Sequence, residues 1–269
     1  VPHVCYNKKV FSLTGGDNKV DDILRELVAF GLGDVKVSIG ERLSMRDERI
    51  TRDTATNLLN RKFSSLAVMI IENKNARDPL IPLRDGDFVR GKAPMTKEAV
   101  RELSAFELGI MPGETVYDIG AGTGAMTCTL ALRARENFVY AIEKDREAFE
   151  IAENNMKRLG IKNIKLVFGE APSAEMKDFP PADKVFVGGS SGNLREIVTF
   201  VLTKNPKAEI LVTAVTMETI TEAFALFKSI GMEISSRLVS VSDAHRLGRY
   251  HLMRAENPVY LIKGVPKEA

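Results

Sequence analysis

The stretch VYDIGAGTGAMT, residues 116–127, decides the fold. Four residues suited to a buried strand (VYDI, 116–119) run into a turn with glycine at positions 120, 122 and 124, and the chain then continues into a helix. Glycine allows positive φ and lets a ligand approach the backbone closely. A strand, a glycine turn and a helix in that order form the nucleotide-binding corner of a doubly wound α/β sheet. A plain strand-to-helix turn would use glycines too, so the spacing matters. The dinucleotide fingerprint GxGxxG needs its third glycine one residue later than Gly124. Asp118, just before the turn, suits a ligand amine better than a pyrophosphate.

Downstream of this corner, strand and helix patterns alternate. Strands are expected at 116–119, 138–142, 164–168, 184–187 and 209–212, and helices at 127–135, 146–159, 194–202 and 218–230. Such alternation predicts a parallel sheet covered on both faces. The end departs from it: 233–241 and 259–262 both read as strands with no strong helix between them, which predicts an antiparallel pair at the sheet edge. Upstream, Thr96 is the expected N-cap of an amphipathic helix at 97–108. The stretch 73–94 has three prolines, two glycines and many charges, and reads as a connector. Before it lies a small α/β piece: a turn at 14–17, a helix at 19–30, a strand at 35–39, a helix at 53–61 and a strand at 66–71. The expected division is therefore 1–75, a linker at 76–95, and 96–269.

The bulk composition narrows the class. In 269 residues, 44% hydrophobic and 28% charged is a globular balance, and no apolar run is long enough to span a bilayer. With 38 basic and 36 acidic residues the net charge is +2, which does not call for a nucleic-acid partner. Cys5 and Cys128 are far apart and lack metal-type spacing, so no metal site and a reducing, cytoplasmic setting are expected. The start, VPHVCYNKKV, is no signal peptide and has no initiator Met, so the chain reads as a piece of a longer protein.

Three further motifs extend the site. Glu143, followed by Lys144, ends the second strand of the sheet roughly twenty residues past the glycine turn, where an acid can accept both hydroxyls of a ribose. Gly169, Glu170 and Ala171 follow the third strand and can read an adenine edge with a backbone N–H and an acid, although Gly-Glu-Ala-Pro also suits a plain loop. Gly188, Gly189 and Ser190 follow the fourth strand, and their small side chains leave room for a large second ligand.

The segments at 86–124, GEAP at 169–172, VFVGGSSGN at 185–193 and LGRYHLMRAENPVYLI at 247–262 resemble the precorrin-6Y methyltransferase family, in its decarboxylating domain. The resemblance spans roughly residues 84–264, and RGKAPMTK at 90–97 is its most diagnostic part. It implies a seven-strand S-adenosylmethionine-dependent methyltransferase fold, doubly wound with an antiparallel edge hairpin and preceded by a small α/β subdomain. The cofactor implied is S-adenosyl-L-methionine. Asp118 would face its methionine end, and Gly120, Ala121, Gly122, Thr123, Gly124 and Thr96 would line its pocket. Glu143 and Lys144 would lie at its sugar, Gly169, Glu170 and Ala171 at its base, and Gly188 and Gly189 beside the methyl. The implied substrate is a precorrin, a tetrapyrrole polycarboxylate, and its carboxylates call for cations. The candidates are Arg90 and Lys92, with Arg84, in the connector, and His245, Arg246, Arg249 and His251 near the end; Ser190 joins them. A homotetramer is also implied, with neither nucleic acid nor membrane as partner.

The block at 11–50 resembles the second half of a tetrapyrrole methylase of another fold, which some relatives carry fused. Its first half, with that family's glycine-rich loop, does not precede it here, so methylation at carbon 5 by this chain alone is not expected. Two rivals stand beside the main reading. An RNA base methyltransferase would need a broad basic face and steep salt dependence. A non-catalytic scaffold would not bind the cofactor.

Overall fold

The computed structural model describes residues 1–16 and 18–267. Asp17, the last residue of the expected turn, and positions 268 and 269 of the expected second domain lie outside the described residues. The chain forms two compact units: Val1–Ile81 with Gly160–Asn163, and Pro82–Leu159 with Ile164–Ala269.

In the smaller unit, α1 (Pro2–Tyr6) and β1 (Lys9–Leu13) precede α2 (Val20–Ala29), followed by β2 (Lys36–Glu41), β3 (Arg49–Thr54), α3 (Ala55–Leu58) and β4 (Ala67–Glu72). The strands form one antiparallel sheet in the order β1-β4-β2-β3. Alternate residues Val37, Ile39, Met69 and Ile71 are buried, as are Leu24 and Leu27 of α2. The expected helix at 53–61 is shorter, because 49–54 is a strand paired residue by residue with β2. Thr54 ends that strand and caps α3, its hydroxyl accepting the Asn57 N–H at 3.3 Å. Three charged residues among six, Arg49, Arg52 and Asp53, leave β3 without an apolar alternation to mark it in the sequence.

The larger unit opens with α4 (Glu98–Leu108) and then winds β5 (Val116–Ile119), α5 (Ala125–Arg133), β6 (Val139–Glu143), α6 (Arg146–Leu159), β7 (Ile164–Phe168), β8 (Lys184–Val187), α7 (Leu194–Lys204), β9 (Glu209–Ala214) and α8 (Met217–Ser229). It closes with β10 (Glu233–Val239), β11 (Ser242–Leu247), β12 (Tyr250–Ala255) and β13 (Val259–Val265). The seven-strand order is β10-β13-β9-β8-β5-β6-β7. The strands from β9 to β7 are parallel, whereas β13 runs antiparallel between β9 and β10. Every residue of β5, β6 and β8 is buried, as expected of central parallel strands covered on both faces. One face packs Tyr117, Ile119, Val185, Val187, Ile197 and Val201 into a single apolar cluster.

Two sequence expectations change here. Thr96 is not the N-cap of α4; Lys97 holds that position with no side-chain cap, and the Glu98 N–H donates instead to Asp85 Oδ1 at 3.0 Å. The stretch between the two expected edge strands, read from the sequence only as lacking a strong helix, holds a two-stranded antiparallel hairpin of β11 and β12.

Arg101 fixes the entry to this unit. Its side chain is fully buried on the inner face of α4. It donates to Thr129 Oγ1 (3.0 Å), Asp85 Oδ1 (3.0 Å), the Thr96 carbonyl (2.9 Å) and the Leu83 carbonyl (2.7 Å). Its guanidinium lies over the Phe88 ring, 5.0 Å from the centroid. Asn155, also fully buried, clamps the same segment to α6. It accepts from the Val89 N–H at 2.7 Å and donates to the Val89 and Thr123 carbonyls at 3.0 and 2.9 Å. The stretch expected to be a loose connector is therefore held by a planar fork that a lysine cannot reproduce. Arg101→Met leaves Asp85 and two carbonyls without their donor and should cost about 3 kcal/mol. Urea titration followed by near-ultraviolet circular dichroism checks this; Arg101→Lys should recover only part of the loss, and full recovery by lysine would contradict the account.

Candidate active site

β5 and β8 are neighbours at the centre of the sheet, and past their carboxyl ends the chain leaves for helices on different sides. A crevice opens at such a switch point. Two glycines set its width: Gly120 has φ +77°, and a Cβ there would lie 2.8 Å from the Gly189 carbonyl oxygen and 2.9 Å from its nitrogen. The loops after β5 and β8 thus touch through main chain alone. Above them lies a cavity of about 1380 Å³. Its wall joins the glycine loop, the tips of β6, β7 and β8, the segment pinned by Arg101 and one side of the β11–β12 hairpin. A pocket for one drug-sized ligand runs to about 1,000 Å³, so this space suits a nucleoside and a second large ligand together.

Most of the expected residues border this cavity. Thr96, Gly120, Ala121, Gly122, Thr123, Glu143, Lys144, Gly169, Glu170, Ala171, Gly188 and Gly189 do so from the expected cofactor set. From the substrate set, Arg90, Lys92, Ser190 and His245 do so. Glu143 is the most constrained acid on the wall. One carboxylate oxygen accepts the Gly122 N–H at 2.7 Å and the other the Asp145 N–H at 2.8 Å. Each oxygen keeps a free lone pair for a ligand hydroxyl. Lys144 and Glu170 bridge the tips of β6 and β7 at 2.8 Å.

Six expected residues lie elsewhere. Arg84 is off the wall and pairs with Glu98 of α4. Asp118 is fully buried beneath the loop. Strand alternation sends Tyr117 and Ile119 to one face of the sheet and Asp118 to the face covered by α5, where Thr127 Oγ1 donates to its Oδ2 at 2.5 Å. Gly124 serves packing: with φ +78°, a Cβ would lie 3.0 Å from that of Ala152 on α6. Arg246, Arg249 and His251 are off the wall because the hairpin, too, alternates. Asp243 faces Arg254 and His245 faces Leu252 across the strands on one side, whereas Arg246 and His251 pair on the other. Arg249 sits in the turn between the strands.

Among the residues that the sequence reading passed over, Asp85, Asp243 and Arg254 also border the cavity. The residues that position the wall, Arg101 and Asn155, left a legible trace. Each is a polar residue in the apolar stripe of its helix, Arg101 with Ser104, Ala105 and Leu108, and Asn155 with Ala148, Ala152 and Met156.

The electrostatics of the glycine corner suit a cation. Burial, reinforced by the charge of Glu143 and opposed by the Thr127 hydrogen bond, pushes the Asp118 carboxyl up to about 7. Its Oδ1 and the hydroxyl of Thr123 are both buried without a hydrogen-bond partner among the described residues. Orphaned acceptors at a glycine loop fit a cofactor that brings an ammonium group and hydroxyls of its own. Among the described residues, no cluster of three or more His, Cys, Asp or Glu could hold a metal ion.

Comparison with known proteins gives this site a family context. The profile of the precorrin methyltransferase domain matches residues 87–264, which leaves the smaller unit largely outside the match. A protein of Pyrobaculum calidifontis named probable cobalt-precorrin-6B C(15)-methyltransferase (decarboxylating) is 33% identical over 171 residues, covering 63% of this chain and 87% of its own length. The crystal structure of precorrin-6y C5,15-methyltransferase from Geobacter metallireducens aligns with a TM-score of 0.65 at 28% identity, over 70% of this chain and 98% of its own. That of precorrin 8w decarboxylase from Methanobacterium thermoautotrophicum gives 0.64 at 33% identity, over 68% and 98%.

The buried acid makes a pH prediction. Asp118 titrates near 7 when folded, against an ordinary 3.8. Below pH 3.8 both states hold the proton and the group is silent. Between 3.8 and about 7 only the unfolded chain releases it, so stability falls as pH rises and levels off above 7. Asp118→Asn keeps an acceptor for Thr127 and removes this slope. Its advantage over the parent should grow from pH 4.5 to 7.5 by on the order of a few kcal/mol in urea titrations. A pH-independent difference would show that Asp118 is ionised throughout.

Proposed function

The chain belongs to the precorrin methyltransferase domain family, and from that membership we propose that it methylates a precorrin, precorrin-6Y or its cobalt form, and removes CO2 from an acetate side chain in cobalamin biosynthesis. The observation that carries the reading is one cavity that continues from the Gly120–Thr123 loop and Glu143 to the hairpin, with room for two ligands.

S-adenosylmethionine, when bound, supplies an electrophilic methyl on a sulfonium. The chain's part is placement. Glu143, fixed by the Gly122 and Asp145 N–H groups, presents free lone pairs to the sugar hydroxyls. The unpaired Oδ1 of Asp118, beneath the loop, draws an ammonium group towards Gly120 and Ala121. Gly169, Glu170 and Ala171 offer the edge for the base, and Thr96 and Lys144 close the sides. Gly188, Gly189 and Ser190 carry little or no side chain, so a macrocycle can come close. Loss of CO2 leaves the electrons of the broken bond in the conjugated ring and makes a ring carbon nucleophilic. Holding that carbon against the methyl can supply on the order of 7–11 kcal/mol.

Three further elements belong to this reading. The smaller unit is taken as the second half of a tetrapyrrole methylase, supported by the likeness of residues 11–50. A homotetramer is supported by the hairpin, where Leu247, Tyr250, Leu252 and Met253 are each more than 60% exposed and need a cover. A cytoplasmic setting is supported by two buried free thiols, Cys5 and Cys128, and no helix among the described residues is long and apolar enough to cross a membrane.

Two measurements test the proposal. In calorimetry the chain should bind S-adenosylmethionine, and Glu143→Gln should weaken binding on the order of 10- to 100-fold. Incubated with the cofactor and the precorrin, the chain should yield a product heavier by one methyl and lighter by one CO2. Unchanged substrate under conditions where the cofactor binds would refute the assignment.

A further inference from the structure

The cations on the cavity wall are not equivalent. Arg90 lies 3.9 Å from Asp85, Lys92 3.9 Å from Glu147 and Lys97 3.9 Å from Glu256, and Lys144 is paired with Glu170 at 2.8 Å. Each is partly neutralised by an acid of the chain itself. Arg254 borders the same cavity, and among the described residues it forms no ion pair and no side-chain hydrogen bond. Asp243 stands opposite it across the hairpin, yet the two make no ion pair within 4.0 Å.

Its place in the fold is well fixed. Arg254 is one residue from the end of β12, at the root of the hairpin. The Glu256 N–H donates to the Val241 carbonyl at 2.9 Å and closes that root, and β13 then enters the seven-strand sheet between β9 and β10. His245 lies on the same side, two pairs further out. A guanidinium carried by a rigid root, facing a large cavity and free of partners, can take a carboxylate through two parallel hydrogen bonds.

We propose that Arg254 is a specificity-determining residue that binds a peripheral carboxylate of the tetrapyrrole substrate. This rests on the function proposed above and adds to it the group that orients the macrocycle. The paired cations contribute field, whereas Arg254 contributes position, because its donors are uncommitted.

Steady-state kinetics of the 269-residue chain, with the precorrin varied at saturating S-adenosylmethionine, provide the test. Arg254→Gln should raise KM on the order of 10- to 100-fold. Cofactor affinity by calorimetry and the melting temperature should stay at the parent values, which a merely structural role would not allow. Arg254→Lys should recover part of the loss, since it keeps the charge without the fork. Arg246→Gln, on the other side of the same hairpin, should leave KM within about twofold. An unchanged KM in Arg254→Gln while the parent turns over, or an equal rise in Arg246→Gln, overturns the assignment. Failure of the parent to turn over would instead sink the underlying function, and this inference with it.

Discussion

The contact between Gly120 and Gly189 is the constraint on which the larger unit depends. Two loops leave adjacent strands at the switch point and touch with no side chain between them. A methyl group at Gly120 would fall at 2.8 Å from a carbonyl oxygen, closer than atoms tolerate, and its φ of +77° would be strained as well. Because the loops meet there, the Gly122 N–H comes within 2.7 Å of Glu143, and the carboxylate from the next strand is locked at the cavity wall. Rigid main chain, rather than flexible side chains, thus shapes this corner of the cavity.

Charge is arranged around this corner in layers. Asp118 and Glu143 are both buried and near enough to raise the proton affinity of the first, so the lower layer is short of positive charge. One wall of the cavity is held from outside by Arg101, whose charge is spent on Asp85 and main-chain carbonyls, not on a ligand. The cations that face the space are mostly matched by neighbouring acids, and the exception is on the hairpin. Such a site favours a cation at the glycine corner and an anion towards the hairpin, which suits a sulfonium nucleoside beside a polycarboxylate. Charge separation of this kind also orients two ligands relative to each other before any chemistry begins.

Much of this was legible in the sequence. The strands at 116–119, 164–168 and 184–187 and the helix at 146–159 occur with the expected bounds, because these strands read as short, mostly apolar runs between turns and α6 has a clear 3.6-residue stripe. Glu143 was legible for a different reason: its distance along the chain from the glycine turn fixes one β-α-β step, and a strand end must lie beside the loop. The departures came where a side chain's direction mattered. Arg246 and His251 have suitable chemistry at suitable positions, but an alternation of two turns them away from the cavity, and the same alternation buries Asp118 beneath the glycine loop. The hairpin itself was missed because all of its residues are exposed, so no apolar period marks it.

The sequence by itself determined the order of elements from β5 to β10, the glycine corner and the family, because local periodicity and glycine spacing are properties of neighbours along the chain. Only the tertiary structure decided which charges face the cavity. Arg101, Asn155 and Arg254 take their roles from partners, or from the lack of them, that lie far away in sequence. Whether a cation is neutralised, buried or free depends on what the fold brings within about 4 Å of it, and Coulomb energy falls with distance in space, not with separation along the chain.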